Sequence, residues 1–265
     1  MYRFFKQIQK MNYAKKSLGQ NFLIDKNVIK KIINSVKIKD RDLIEIGPGN
    51  GALTDEILKK NPKSLSLIEK DYSLFKNLET KYFNEKHIKI YNQDILKFDL
   101  EKIQKNNSVI YGNLPYNISS QILVKIIKSK QWLPFFSDLV LMFQKELGEK
   151  ILGKYPSSHY GRLSILSNYR LEIIKKFIVS PNCFSPKPKV TSLVIHFKPK
   201  ENKVFDIKKI NNLEKITNIL FSNKRKMINK NIKKILNENE IAQIKDIKLS
   251  LRPSDLKPEI YYKIT

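Results

Sequence analysis

Three glycines in EIGPGNGALT (residues 45–54) and two later carboxylates, Glu69 and Asp94, are the residue types in this chain best suited to hold a ligand carrying a nucleoside. Gly47, Gly49 and Gly51 let a backbone turn sharply and approach a ligand closely. Glu69 follows Gly47 by 22 positions, where a carboxylate can accept both hydrogens of a ribose diol. Asp94, in NQDIL, could accept from an adenine amino group. Metal chemistry has no such support. His87, His159 and His196 lie far apart without ligand spacing, and the single cysteine, Cys183, excludes a Cys-cluster zinc site and an intramolecular disulfide.

The glycine loop alone leaves more than one reading open. Gly47, Gly49 and Ala52 fit the dinucleotide pattern G-x-G-x-x-[GA]. The same run resembles the E-x-G-x-G-x-G loop of S-adenosylmethionine methyltransferases, and a plain strand-to-helix turn is a third possibility. Asn113-Leu114-Pro115-Tyr116 narrows the choice. It resembles the [Asn/Asp]-Pro-Pro-[Tyr/Phe] motif of methyltransferases acting on adenine N6 or cytosine N4. The lone pair of adenine N6 is delocalised into the ring, so that nitrogen is a poor nucleophile. Two acceptors on its N–H groups, the Asn113 side-chain oxygen and the Leu114 carbonyl, would favour a pyramidal amine and stabilise the charge developing on it. Pro115 stiffens the turn. Tyr116 offers a ring on which an extruded base can stack. Transfer from a sulfonium expels a neutral leaving group, so no metal is required.

These residues need strands that end at one rim. Short apolar runs at 42–46, 64–69, 87–91 and 108–111 alternate with helical patterns at 51–60, 72–82, 97–104 and 118–128. Such alternation predicts a parallel sheet wrapped by helices, with the ligand-binding loops at the strand C-termini. Residues 26–37 read as a helix with Asp25 as N-cap. Residues 137–143 read as a fifth strand, and 170–179 and 190–197 as a final pair around a loop stiffened by Pro181, Pro186 and Pro188. After Lys200 the strand-like runs stop. Ile216, Ile219 and Leu220, then Ile228, Ile232, Ile235 and Leu236, have helical spacing. The expected division is a catalytic domain over 1–200 and a small all-helical domain over 201–265.

Five segments together resemble the ribosomal RNA adenine N6,N6-dimethyltransferase family: 17–25 (SLGQNFLID), 45–54, 112–119 (GNLPYNIS), 160–164 (YGRLS) and 184–192 (FSPKPKVTS). They stand in the family's order and span nearly the whole catalytic region. The Phe-x-Pro-x-Pro-Lys-Val run is more similar to the branch acting on the small ribosomal subunit than to the macrolide-resistance branch. Ser17-Leu18 stand where the family often has Arg-Phe, and the extension before Met11 has no clear counterpart, leaving Met1 and Met11 both open as starts.

The resemblance implies an α/β, Rossmann-like class I methyltransferase fold using S-adenosylmethionine. It implies that Asn21 and Leu23 cover the cofactor, that Gly47 meets its methionine part, and that Glu69 binds its ribose and Asp94 its adenine. Asn113 would lie between cofactor and target amine, with Phe184 stacking on the target base opposite Tyr116. The implied product is a pair of adjacent dimethyladenosines in the 3′-terminal hairpin of small-subunit rRNA. Alternatives are a DNA adenine or large-subunit RNA methylase, and a nucleic-acid-binding factor on a retired methylase fold. The last has no physical need for Glu69, Asp94 and Asn113.

Charge agrees with a polyanionic partner. Lys and Arg number 51 against 25 Asp and Glu, a net charge of +26 over 265 residues. Residues 224–234 (KRKMINKNIKK) carry six basic residues and no acid; as a helix they would offer a phosphate-binding face. Apolar runs fall short of a membrane span and the N-terminus lacks a secretory core, so the expected setting is the cytoplasm, off the membrane. The resemblance implies the small subunit and its rRNA as partners, and a monomer is expected.

Overall fold

Asp25 starts the first helix as its spacing predicts. A computed structural model describes residues 19–265 apart from 104, 202–203, 206, 208–209 and 245–246; Met1, Met11 and Ser17-Leu18 lie outside the described residues. β1 (Phe22–Leu23) leads to α1 (Lys26–Ile33), where the Asp25 carboxylate accepts from the N–H groups of Asn27 and Val28, both at 2.9 Å. The chain continues as β2 (Asp42–Ile46), α2 (Ala52–Leu58), β3 (Ser64–Glu69), α3 (Tyr72–Lys81), β4 (Ile88–Asn92), β5 (Ser108–Asn113), α4 (Ser119–Ile127) and β6 (Phe136–Gln144). Then come α5 (Lys145–Leu152), α6 (Arg162–Arg170), β7 (Leu171–Val179), β8 (Phe184–Ser185) and β9 (Ser192–Pro199). The last stretch holds α7 (Ile210–Phe221), α8 (Asn229–Ile232), α9 (Glu238–Gln243) and α10 (Pro258–Lys263).

Seven strands form one sheet in the order β4-β3-β2-β5-β6-β9-β7, and β1 pairs separately with β8. β4, β3, β2, β5 and β6 run parallel; β9 enters antiparallel to β6. Strands covered on both faces read as near-continuous apolar runs, and β2, β5 and β6 do. Leu43, Ile44, Ile46, Val109, Ile110, Tyr111, Leu139, Val140 and Leu141 are all buried. Registers Ile46↔Ile68, Ile46↔Gly112 and Glu69↔Asn92 bring the C-terminal ends of β2 to β5 level. Four loops therefore open on one rim. A Cβ on Gly112 would lie 2.6 Å from Leu114 Cδ2 and 3.3 Å from the Ile46 carbonyl oxygen, so a side chain there would force its neighbours to shift.

The chain divides into two compact units, and not by a single cut at residue 200. The first contains the residues through Ile122 with Pro134–Lys145 and Ile173–Pro199; the second combines Leu123–Leu133, Glu146–Glu172 and Lys200–Thr265. The second unit gathers early segments because Glu214 of α7 pairs with Arg162 at 3.0 Å and Lys128 at 2.6 Å. Tyr169 and Tyr160 likewise donate to the carbonyls of Phe205 and Leu256. Two local expectations need correction. Over 97–104 only a 3₁₀ turn, Leu100–Ile103, forms among the described residues, begun by the Asp99 side chain accepting from the Glu101 N–H. The basic run 224–234 is not a continuous helix: 222–225 are turn and only Asn229–Ile232 is helical.

Candidate active site

The loop after β2 is anchored at alternate residues. Gly47 N–H donates to the Ile68 carbonyl at 3.0 Å, and Gly49 N–H to Glu69 Oε2 at 3.2 Å. Gly47, Gly49 and Gly51 have φ of +69°, +59° and +81°, the left-handed region that disfavours other residues. A Cβ on Gly49 would press on the Phe22 ring at 3.0 Å. The glycines thus meet both a conformational and a steric requirement.

Glu69 ends β3 and is almost fully buried. Its Oε1 accepts from the Asp71 N–H at 2.8 Å while Oε2 holds Gly49. Burial raises its pKa, opposed by backbone donors at Asp71, Gly49 and Lys70. A carboxylate has about four acceptor positions, so capacity remains for a ribose hydroxyl. Asp94 lies beyond β4. Its Oδ1 accepts from the Leu96 N–H at 2.9 Å, and Lys70 Nζ stands 2.9 Å from its Oδ2. The Lys70 ammonium holds the Asp94 carboxyl below the usual carboxylate range.

Asn113 is the last residue of β5. Its Nδ2 donates to the Asn21 carbonyl at 3.1 Å, and Asn21 Nδ2 donates to the Gly19 carbonyl at 3.3 Å. With the nitrogen engaged, Asn113 presents Oδ1 as its acceptor. The following turn is tight: Ile118 N–H reaches the Pro115 carbonyl, and Ser119 Oγ the Tyr116 carbonyl. Tyr116 is half-buried, with its hydroxyl 2.5 Å from Ser192 Oγ on β9.

One cavity is lined by Asn21, Leu23, Gly47, Glu69, Asp94, Asn113, Leu114 and Tyr116 together. Phe184 does not join them. It pairs with Leu23 across β1 and β8 and is 3% exposed, its ring in the apolar cluster with Ile29 and Val194. Two further lining residues carry no role in the reading of the sequence: Glu45, the acid that opens the E-x-G-x-G-x-G run, and Lys70. Glu45 is 1% exposed, accepts from Thr54 Oγ1 at 2.6 Å, and burial pushes its pKa up to about 7. A signal for it exists: an acid inside the apolar strand DLIEI.

Other reactive side chains lie elsewhere. His196 Nε2 is 2.8 Å from Asp138 Oδ1 on neighbouring strands of the core. Burial pushes the Cys183 thiol up, which keeps it a poor nucleophile. Among the described residues no group of His, Cys, Asp and Glu could hold a metal ion, and no helix is long and apolar enough to cross a membrane.

The cavity suits S-adenosylmethionine. A glycine cradle that a Cβ would fill underlies it, a buried carboxylate ends the second strand of the rim and an ionised one follows the third. The family model for ribosomal RNA adenine dimethylase matches residues 11–264. The chain belongs to the ribosomal RNA adenine dimethylase family. The enzyme is similar to ribosomal RNA small subunit methyltransferase A of Pelagibacter ubique, 47% identical over 95% of both chains. It is 40% identical to the protein of that name from Malacoplasma penetrans, over 95% of this chain and 91% of that one. The crystal structure of a dimethyladenosine transferase from Plasmodium falciparum superposes with a TM-score of 0.72 at 26% identity, covering 92% of this chain and 95% of that one. The enzyme is thus a class I methyltransferase that uses S-adenosylmethionine and acts on rRNA adenine.

Proposed function

We propose that this enzyme converts two adjacent adenosines in the 3′-terminal hairpin of small-subunit rRNA to N6,N6-dimethyladenosine, working as a cytoplasmic monomer on the small subunit. The observation that carries the chemistry is Asn113, its amide nitrogen fixed by the Asn21 carbonyl, on the same cavity as Glu69 and Asp94. S-adenosylmethionine supplies an electrophilic methyl group on a sulfonium. The ribose hydroxyls fall to Glu69, the adenine amine to Asp94, the methionine end to Gly47, and Asn21 and Leu23 cover the whole. Asn113 Oδ1 and the Leu114 carbonyl accept the two target N–H groups, so the amine loses conjugation and presents its lone pair. Both acceptors are set before reaction, which makes them worth most where positive charge develops on N6. Tyr116 provides the stacking ring, braced at its hydroxyl by Ser192.

Selection of the RNA falls to the basic surface. Lys224, Arg225 and Lys226 are exposed on the turn after α7, where side chains can reach phosphates that a regular helix would spread apart. The test is methylation of unmodified small subunits, followed by mass spectrometry of rRNA fragments. Dimethylation at two adjacent adenosines of the terminal hairpin is expected. Modification confined to large-subunit RNA or to DNA would replace this reading with one of its alternatives. Light scattering of the free enzyme tests the monomer.

A further inference from the structure

We propose that the C-terminal end of α3 is a clamp that keeps the glycine loop in its cofactor-ready form, with Tyr82 as the positioning residue. The Tyr82 hydroxyl lies 2.7 Å from Asp55 Oδ1 and 3.2 Å from the Gly51 carbonyl. It has one proton, and the shorter contact to a carboxylate takes it. Lys81 Nζ completes the grip, 2.7 Å from Asp55 Oδ2 and 3.2 Å from the Asn50 carbonyl. Asp55 sits in the first turn of α2, directly after the loop. Two consecutive residues thus grip the helix into which the loop runs through Asp55, and Lys81 also holds the Asn50 carbonyl.

None of these three side chains lines the cavity. Their effect on the cofactor must pass through the backbone. From inside, Gly47 and Gly49 are tied to Ile68 and Glu69, and Glu45 holds Thr54. From outside, Asn50 is held by Lys81, and Gly51 by the first helical bond, Asp55 N–H to Gly51 carbonyl, with Tyr82 fixing the Asp55 side chain. The fit is close: a Cβ on Gly51 would lie 2.2 Å from the Tyr82 oxygen. A loop with three left-handed glycines has many other conformations when released. A clamp that removes them raises the fraction of molecules ready to bind.

This role presupposes that Gly47–Gly51 underlies S-adenosylmethionine, which Glu69→Ala tests separately. Tyr82→Phe keeps the ring and removes the grip. If the loop is then competent in a third to a tenth of molecules, apparent affinity falls about 3- to 10-fold. The loss should be equal for S-adenosylmethionine and S-adenosylhomocysteine by titration calorimetry. In stopped-flow binding it should appear as slower association with unchanged dissociation, and in turnover as a raised KM at unchanged kcat. Asp55→Ala should act in the same direction, and the double variant should be little worse than Asp55→Ala alone, since both changes remove the Tyr82–Asp55 hydrogen bond. Unchanged cofactor affinity in Tyr82→Phe, with only a lower melting temperature, overturns the proposal. Should Tyr82→Phe fail to fold, Lys81→Met and Asp55→Ala at the half-exposed end carry the same test, and wild-type affinity in both overturns it. Failure of Glu69→Ala to weaken binding would instead refute the placement of the ribose on which this role rests, whatever Tyr82→Phe does.

Discussion

Glu69→Gln separates two tasks that one carboxylate performs. Its two oxygens each accept a backbone N–H, from Asp71 at 2.8 Å and from Gly49 at 3.2 Å. Glutamine has nearly the same shape but one acceptor oxygen. That oxygen keeps the shorter bond to Asp71, so the amide NH₂ faces the Gly49 N–H, donor against donor. A buried donor left unpaired costs about 1–3 kcal/mol, and the site is 6% exposed, so water offers little relief. The free enzyme should melt lower by about 2–4 °C for each kcal/mol lost. Cofactor binding should suffer separately, because ribose hydroxyls donate to a charged acceptor in the wild type and a neutral one in the variant. Charge-assisted bonds contribute roughly 1.5–3 kcal/mol, a weakening of about 10- to 150-fold. Titration calorimetry with S-adenosylmethionine at one temperature well below both melting points reads the second effect free of the first. A dissociation constant within about two-fold of wild type, beside a lowered melting temperature, would show that Glu69 only braces the loop and would refute its role toward the ribose.

Asn113→Ala should cut single-turnover methyl transfer on the order of 10²–10³-fold while subunit binding persists; a wild-type rate would remove Asn113 from the chemistry. Changing Lys224, Arg225 and Lys226 together to Ala should flatten the log–log salt dependence of subunit binding by about 0.7–0.9 for each phosphate no longer neutralised, with cofactor affinity unmoved; an unaltered slope would mean the turn touches no phosphate. Glu45 sets a pH dependence. Its folded pKa of about 7 lies above its ordinary value of 4.5, so the folded state binds the proton more tightly. Its contribution to stability is full below about pH 4.5 and is lost as pH rises through 7, about 3 kcal/mol in all. Glu45→Gln should abolish that decline in denaturant titrations across the range, and an unchanged decline would place its source elsewhere.

The buried parallel strands are legible in the sequence because continuous apolar runs flanked by polar loops have few other fates. β2 and β3 begin and end where their residues predict, and β4 within a residue. The rim follows from them, since Gly47, Glu69, Asp94 and Asn113 each terminate or follow a strand. Phe184 is not legible in the same way. A segment with Pro186 and Pro188 reads as an open loop, whereas the Phe184–Ser185 pairing with Phe22–Leu23 draws the ring inward. In 224–234 the isoleucine spacing suggests a helix that Ser222–Arg225 interrupt as turn. Lys81 and Tyr82 leave no local trace at all. Their partners lie 26 to 31 residues earlier, and no periodicity encodes that distance.

Sheet order also governs when the enzyme becomes complete during synthesis. β7 is made before β9, yet in the sheet β9 separates it from β6. A chain that has emerged only through residue 179 therefore offers β7 no neighbour, and β6 keeps an open edge of nine residues, Phe136 to Gln144. The cofactor side, built from strands between residues 42 and 113, relies on pairings closer along the chain. Tyr116 must wait, since the Ser192 hydroxyl that braces it belongs to β9. A nascent or truncated chain ending before residue 192 would be a half-built enzyme: able to arrange its glycine loop and carboxylates, without an anchored ring for the base, and exposing an unpaired strand edge of the kind that recruits other chains.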